Sequence, residues 1–309
     1  MNKCCIIGGS GFIGQHLLRQ LEPTGRDVIV IDRCPKPLVS PFEKVTYLQA
    51  DYAAGLDIDR ILPDLDEIIL LAHTTTPKAS FDDPLTDLSS NVPAAVRLFG
   101  IAADAGIKKI IFVSSGGTVY GKATDLPISE SHSTNPISPY GITKLTIEKY
   151  ALMYHALKSL PVVCVRPGNA YGEGQRPFSG QGFIATAMGS ILQRKELSVY
   201  GETGTVRDYI HISDLVAGII AALEDGIPGE CYNIGTGIGH NNKQILDRLG
   251  PLAASSTLDI LYQTLPDRSF DVPVNILDSS KLRKHTGWQP TIGFEAGLQR
   301  MWDWFLETL

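Results

Sequence analysis

A glycine-rich turn at the start of the chain limits the fold more than any other feature. The apolar run Cys4-Cys5-Ile6-Ile7 leads straight into Gly8-Gly9-Ser10-Gly11-Phe12-Ile13-Gly14, and a helical pattern follows from Gly14 to Leu21. The turn matches G-x-G-x-x-G at 9, 11 and 14, and the related G-x-x-G-x-x-G at 8, 11 and 14. Glycine there lets backbone approach a pyrophosphate at a helix N-terminus, where unpaired N–H groups and the helix dipole favour an anion. Asp32 closes the next apolar run, Val28 to Ile31, about 20 residues on, where a carboxylate accepts from an adenosine ribose diol and repels a 2′-phosphate. NAD is therefore expected rather than NADP, with the neighbouring Arg33 pointing the other way.

Short Ile/Val-rich runs alternate with longer helical patterns through the first half: Ile68 to Ala72, Leu88 to Ala105, Ile110 to Val113, Tyr140 to Leu157, Val162 to Val165. Strands joined by helices imply an α/β fold, a Rossmann-type doubly wound parallel sheet with helices on both faces. The rhythm changes near 169: a loop at Gly172 to Pro177, a helix over Phe183 to Leu192, short strands at Leu197 to Tyr200 and just before Arg207. We expect an NAD-binding domain over 1–168 and a smaller, mainly substrate-binding α/β domain over 169–309. Segments near 208–235 should return to the first domain, through a helix over Ile212 to Leu223 with Ser213 as its N-cap and a strand at Cys231 to Ile234.

At 309 residues, 43% hydrophobic and 19% charged, the chain can bury a large core. Its formal net charge of −6 argues against general binding to nucleic acid or anionic membranes, though a local basic pocket for phosphate would not show in that sum. Cysteines at 4, 5, 34, 164 and 231 form no CxxC or His/Cys ligand spacing, so neither a metal site nor a disulfide framework is expected. The leading apolar run is too short for a signal peptide, and Leu215 to Leu223 is about half of the ~20 residues that span a bilayer. A cytoplasmic location is the expectation.

Tyr140 and Lys144 stand four apart, so on a helix both point into one pocket. A cation near a phenol favours phenolate and makes the tyrosine a usable proton acceptor. By itself the pair is equally an ordinary surface feature. Upstream lies a hydroxyl-rich strand end, Ser114-Ser115-Gly116-Gly117-Thr118-Val119-Tyr120-Gly121.

With these motifs in this order, the chain resembles the extended short-chain dehydrogenase/reductases, and more narrowly their nucleotide-sugar epimerases. The likeness extends through Ala72-His73-Thr74, Asn91-Val92, Arg166 to Gly172, Val199-Tyr200-Gly201, Arg207 to His211, Arg268 to Asp278 and Gly287 to Pro290. It implies that Tyr140 takes a sugar hydroxyl proton while NAD takes the hydride, with Lys144 on the nicotinamide ribose. It assigns cofactor contacts to Gly8, Gly11, Phe12, Ile13 and Gly14, to Asp32, Asp51 and Tyr52, and to Ala72, Asn91 and Pro167. A nucleotide-sugar substrate, with UDP-hexose expected, would be held by Asn169, Arg207 and Arg268, with Asp271 on the nucleoside ribose. Arg suits the diphosphate because its planar fork donates two parallel bonds. His211 reads as a packing residue, and His73 with Thr74 to Thr76 as facing the site without an assigned role.

Two positions depart from the family pattern. The usual hydroxyl that assists the tyrosine falls on Gly116, leaving Ser115 or Thr118 for that role, with Ser115 slightly ahead. The Asp-Glu pair of the related 4,6-dehydratases is replaced by Gly117 and Thr118, which argues against dehydration. Asn275 stands where a bulky Tyr marks enzymes restricted to unsubstituted hexoses, so room for, and a hydrogen bond to, an N-acetyl group is expected. Apolar residues over more than one stripe of the helices Leu88 to Ala105 and Tyr140 to Leu157 suit a homodimer. The competing readings are a keto-sugar-nucleotide reductase and a non-catalytic dinucleotide sensor.

Overall fold

The computed structural model describes residues 2–34, 42, 44–53, 64–268 and 271–308. Strands β1 (Lys3–Ile7), β2 (Asp27–Asp32), β3 (Val45–Gln49), β4 (Glu67–Leu70), β5 (Lys109–Val113), β6 (Val162–Pro167) and β10 (Cys231–Ile234) form one sheet. Their order is β3-β2-β1-β4-β5-β6-β10 and every pairing is parallel, the doubly wound arrangement expected. Such strands are covered on both faces, which is why they read as unbroken apolar runs rather than alternating ones. Ile7 pairs with both Ile31 and Leu70, so β1, β2 and β4 end level and their loops emerge along one edge, at the reversal of strand order.

One face is covered by α1 (Phe12–Leu21) and α7 (Ile212–Asp225), whose Leu17, Leu18, Leu215 and Ile219 pack on Val28, Val30 and Val163. The other carries α3 (Pro84–Ala105) and α5 (Pro139–Lys158), with Leu98, Phe99, Ile147 and Ala151 on Ile68, Ile110 and Val162. Two short helices, α2 (Ala79–Asp82) and α4 (Gly116–Val119), sit in the loops after β4 and β5. Helix α3 starts four residues earlier than its apolar pattern because Asp83 caps it by accepting from the Thr86 N–H, with Pro84 at the first helical position. The N-cap of α7 is His211, which accepts from the Ser213 N–H, and not Ser213 as expected.

The remaining chain forms a smaller layer with its own core around Ile184, Met188, Leu249, Trp302 and Phe305, from α6 (Phe183–Leu192), α8 (Asn242–Ser255) and α10 (Phe294–Thr308). Here β9 (Val206–His211) pairs with β7 (Asn169–Tyr171), β11 (Gly239–His240) and β13 (Val274–Asn275), while β8 (Leu197–Tyr200) pairs with β12 (Tyr262–Leu265). Arg207 thus lies within a strand rather than after one. Leu282, on α9 (Ser280–Thr286), and Trp288 return to the core under α7. Among the described residues no helix is long and apolar enough to cross a membrane, and no cluster of His, Cys, Asp and Glu is fit to hold a metal ion.

One buried ion pair ties the sheet to the helix that carries Tyr140. Arg166 on β6 donates to Glu148 on α5 through Nη2 at 2.6 Å and Nε at 3.1 and 3.2 Å. Its Nη1 donates to the Tyr120 hydroxyl at 2.9 Å, which in turn donates to Asn233 on β10 at 2.7 Å. Removing one partner strands the other charge away from water. Arg166→Leu should therefore destabilise the fold by about 3–5 kcal/mol, read as a lower urea midpoint at unchanged m-value; a midpoint equal to wild type would show that the pair does not support the sheet.

Candidate functional site

The strand ends open into a single cavity of about 1680 Å³. That exceeds the ~300–1,000 Å³ typical of a small-molecule pocket, so two ligands can lie side by side. At one end the Gly8 backbone, at φ +90°, passes so close to β4 that a Cβ would sit 2.8 Å from the Ala72 nitrogen. Only glycine fits such a turn. Gly11 caps α1 and leaves its first N–H groups facing the cavity. Asp32 accepts from the Ser10 N–H and the Cys34 N–H, each at 3.0 Å, one on each oxygen, so lone pairs remain for a diol. Gly8, Gly11, Phe12, Ile13, Gly14, Asp32, Asp51, Tyr52, Ala72 and Pro167 all line this end. Asp51 also makes a local turn, accepting from the Ala53 N–H at 2.8 Å.

Asn91 reaches the lining but its side chain is largely spent on the loop after β4. It accepts from the Thr74 N–H at 2.9 Å and donates to Thr74 Oγ1 and the Asp87 carbonyl at 2.9 and 2.7 Å. Its role is to hold that loop in place.

Tyr140 enters from the first turn of α5, whose start is set by Pro139 and by Ser138, which accepts from the Gly141 N–H at 3.1 Å. The Tyr140 N–H donates to Ser80 Oγ at 3.1 Å. One turn on, Lys144 is buried, donates through Nζ to the Val113 carbonyl at 2.9 Å and lies 5.7 Å from the Tyr140 ring centre. Burial pulls its pKa down to about 8. The expected lowering of the phenol's pKa beside Lys144 is not seen: burial, then the Asp87 carboxylate, push the Tyr140 pKa well above its ordinary value. The phenol keeps its proton there.

Sequence reasoning missed Asp87. Fully buried on α3, it accepts from Thr143 Oγ1 at 2.5 Å, from Thr75 Oγ1 and from His73 Nε2 at 3.0 Å. Burial disfavours the charge, but these three bonds hold its pKa below the usual carboxylate value. No local motif marks it, because its partners come from 73, 75 and 143.

The hydroxyl-rich strand end forms α4. A Cβ on Gly116 would lie 2.5 Å from Leu277 and 2.8 Å from the Arg166 carbonyl, so no hydroxyl side chain fits at that position. Ser115 and Thr118 both line the cavity, and so does Ser114, which was not singled out. Among the described residues, Ser114 Oγ and Thr118 Oγ1 are buried without partners, as are Ser10 Oγ, Tyr52 OH and His73 Nδ1, all from residues that line the cavity. Buried polar atoms are rarely left unpaired. A row of them, ending at the glycine turn, fits a polar dinucleotide.

At the far end stand Asn169, Arg207, Arg268 and Asp271. Arg207 has its pKa lowered by burial and by the neighbouring Arg268 charge. Arg268 donates through Nε and Nη2 to Asp271, both at 2.8 Å, and stacks 4.1 Å above the Tyr200 ring. A second set of side chains suited to a phosphate therefore lines the same cavity as the glycine turn. Asn275 is a correction: it lies behind the wall, buried, donating to the Gly116 carbonyl at 3.0 Å, and does not line the cavity. His211 is buried with Nε2 3.1 Å from Glu173, whose pKa it helps draw down to about 2, and packs as expected.

Two outcomes follow from this geometry. Gly116→Ser, although it restores the family's usual hydroxyl, should lower stability by about 1–3 kcal/mol through overpacking and reduce activity, checked by thermal unfolding and turnover; a stable, faster variant would contradict it. Lys144 serves as a cation only below its pKa, so kcat/KM of the free enzyme should fall as pH rises through about 8. The unfolded chain binds the extra proton between about 8 and the ordinary 10.5, so the stability penalty of burying this charge fades over the same window. A flat rate profile to pH 9.5 would rule out a charged-Lys144 requirement.

Known proteins share this arrangement. Over 98% of both chains, the protein is 29% identical to a UDP-glucose 4-epimerase of Mycolicibacterium smegmatis. It is 30% identical, over 97% of its length and 96% of the other's, to a dTDP-4-dehydro-6-deoxyglucose reductase of Escherichia coli. The crystal structure of Thermotoga maritima UDP-glucose 4-epimerase with UDP-glucose superposes with a TM-score of 0.91, at 30% identity and 99% coverage of each chain. Residues 4–235 match the NAD dependent epimerase/dehydratase family, and with the glycine turn, Asp32, Tyr140 and Lys144 on one cavity, the chain belongs to that family.

Proposed function

We propose that the protein is an NAD-dependent nucleotide-sugar epimerase acting at C4 of a UDP-hexose or UDP-N-acetylhexosamine. The observation that carries this reading is that Tyr140 and Lys144 share one cavity with the glycine turn and with Arg207 and Arg268. NAD supplies a ring that accepts and returns a hydride. Gly8 to Gly14 and Asp32 hold its adenosine half, and Lys144 its nicotinamide ribose. Arg207, Arg268 and Asn169 hold the substrate diphosphate and Asp271 the nucleoside ribose. Tyr140 takes the proton of the sugar's 4-hydroxyl and returns it after the 4-keto sugar has turned over in the site. Ser115 or Thr118, or Ser114 beside them, donates to that oxygen. The N-acetyl arm no longer draws on Asn275 and stands on the size of the cavity.

The kinship to a keto-sugar reductase supports a second reading, a net reduction that consumes NADH. The two are separated by one experiment: purified protein is incubated with UDP-glucose or UDP-GlcNAc without added cofactor, and the products are resolved. Interconversion of epimers, abolished in Tyr140→Phe by at least about 10³-fold, is the expected result. Turnover only with stoichiometric NADH, or wild-type rates in Tyr140→Phe, would contradict it.

The proposal extends to a cytoplasmic homodimer. Leu88 on α3 and Ile142, Tyr150, Met153 and Leu157 on α5 are exposed on two neighbouring helices, an apolar surface suited to a second copy. Light scattering should give twice the chain mass; a monomeric mass would remove this part.

A further inference from the structure

The geometry points to a ligand contact beyond the assignments above: His73 presents Nδ1 as a fixed hydrogen-bond acceptor to a hydroxyl or N–H donor of the bound nucleotide, and Asp87 is the residue that fixes it. This rests on the reading that the cavity holds NAD and a sugar nucleotide. His73 lies near the start of the loop leaving β4, next to Ala72, which borders the glycine turn. Its ring packs edge-on against Tyr140 with centres 4.5 Å apart, and its side chain is 6% exposed.

The protonation pattern of the ring follows from its neighbours. Asp87 already accepts from Thr143 and Thr75 and is held in its charged form, so the remaining contact, at 3.0 Å from His73 Nε2, requires a proton on that nitrogen. A second proton is disfavoured by burial and by the Lys144 charge, which bring the imidazole pKa down to about 4. At neutral pH the ring carries a single proton, on Nε2. Nδ1 is then a bare lone pair, a buried nitrogen on a cavity-lining residue that finds no partner among the described residues. An acceptor of that kind is costly to bury unless a donor arrives. The facing groups, the Tyr140 ring and the Lys144 ammonium that is committed to the Val113 carbonyl, do not supply it. Thr75 and Thr143, which hold Asp87 from the other sides, make the assembly rigid before the ligand enters.

The test has two binding arms and one spectroscopic readout. NAD uptake and UDP-glucose affinity are measured by calorimetry for wild type, His73→Leu and His73→Asn, the last placing a side-chain oxygen near the position of Nδ1. His73→Leu should bind one of the two ligands about tenfold more weakly, and His73→Asn should recover most of the loss. The arm that weakens identifies whether the donor belongs to the dinucleotide or to the sugar nucleotide. In wild-type protein labelled with ¹⁵N-histidine, the unliganded ring should be protonated at Nε2, and the Nδ1 resonance should move on saturation with the same ligand. This readout stands even if a variant fails to fold. A proton on Nδ1 in the unliganded chain, or an Nδ1 resonance unmoved by both ligands, overturns the inference. So does equal binding by His73→Leu in both arms, which leaves the proposed epimerase intact. Wild-type protein that takes up neither NAD nor UDP-glucose overturns both.

Discussion

The site depends on backbones that approach too closely for side chains to come between them. At Gly8 the turn after β1 runs against the start of the loop after β4, and at Gly116 the short helix after β5 sits on the carbonyls that end β6. These contacts bring the ends of four strands, β1, β4, β5 and β6, together beside the cavity. A methyl group at either point would meet backbone at 2.8 Å, closer than an ordinary contact, and force the neighbouring segment to shift. The row of unpaired Ser10, Ser114, Thr118 and His73 atoms exists because the loops are pinned this way. The same pinning explains why the hydroxyl of related enzymes cannot occur at 116, where the space it needs is filled by Leu277 and backbone.

Charge is arranged around that cavity with equal economy. Lys144 is buried and partly depressed in pKa, Asp87 is buried and held ionised by three donors, and Tyr140 between them retains its proton. The balance is opposite to what the Tyr–Lys spacing alone suggests. A phenol in a low-dielectric site, with a carboxylate near and a lysine donating to a carbonyl, keeps its proton.

What was legible in the sequence was local. The glycine turn, Asp32 and the Tyr140–Lys144 spacing are each legible in a short stretch of sequence, and each contributes to the lining of the same cavity. Arg207, Arg268, Asn169 and Asp271 were recognisable by motif and meet at one end of the cavity. What was not legible came from long-range contacts. Asp87 gathers donors from 73, 75 and 143, and nothing near residue 87 announces them. Asn275 matched a substrate position in a motif, yet its side chain turns to the Gly116 carbonyl, 159 residues away in sequence. His211 displaced Ser213 as a cap because its own ring nitrogen reaches the helix N–H. Asn91, expected to contact the cofactor, lines the cavity and bonds Thr74 and the Asp87 carbonyl through its amide.

These long-range contacts share a pattern. Asn91 holds the loop that carries His73 and Thr75, Thr75 and Thr143 hold Asp87, and Asp87 holds His73. Thr143 lies between Tyr140 and Lys144 on α5, so the residues that present His73 are linked to the element that presents the phenol. A shift of α5 would move Tyr140, Lys144 and, through Asp87, His73 together. The site is therefore not a set of independent side chains around a pocket. It includes one hydrogen-bonded frame between α3, α5 and the loop after β4, in which the buried Asp87 carboxylate joins His73 and Thr75 to Thr143 on the helix of Tyr140 and Lys144.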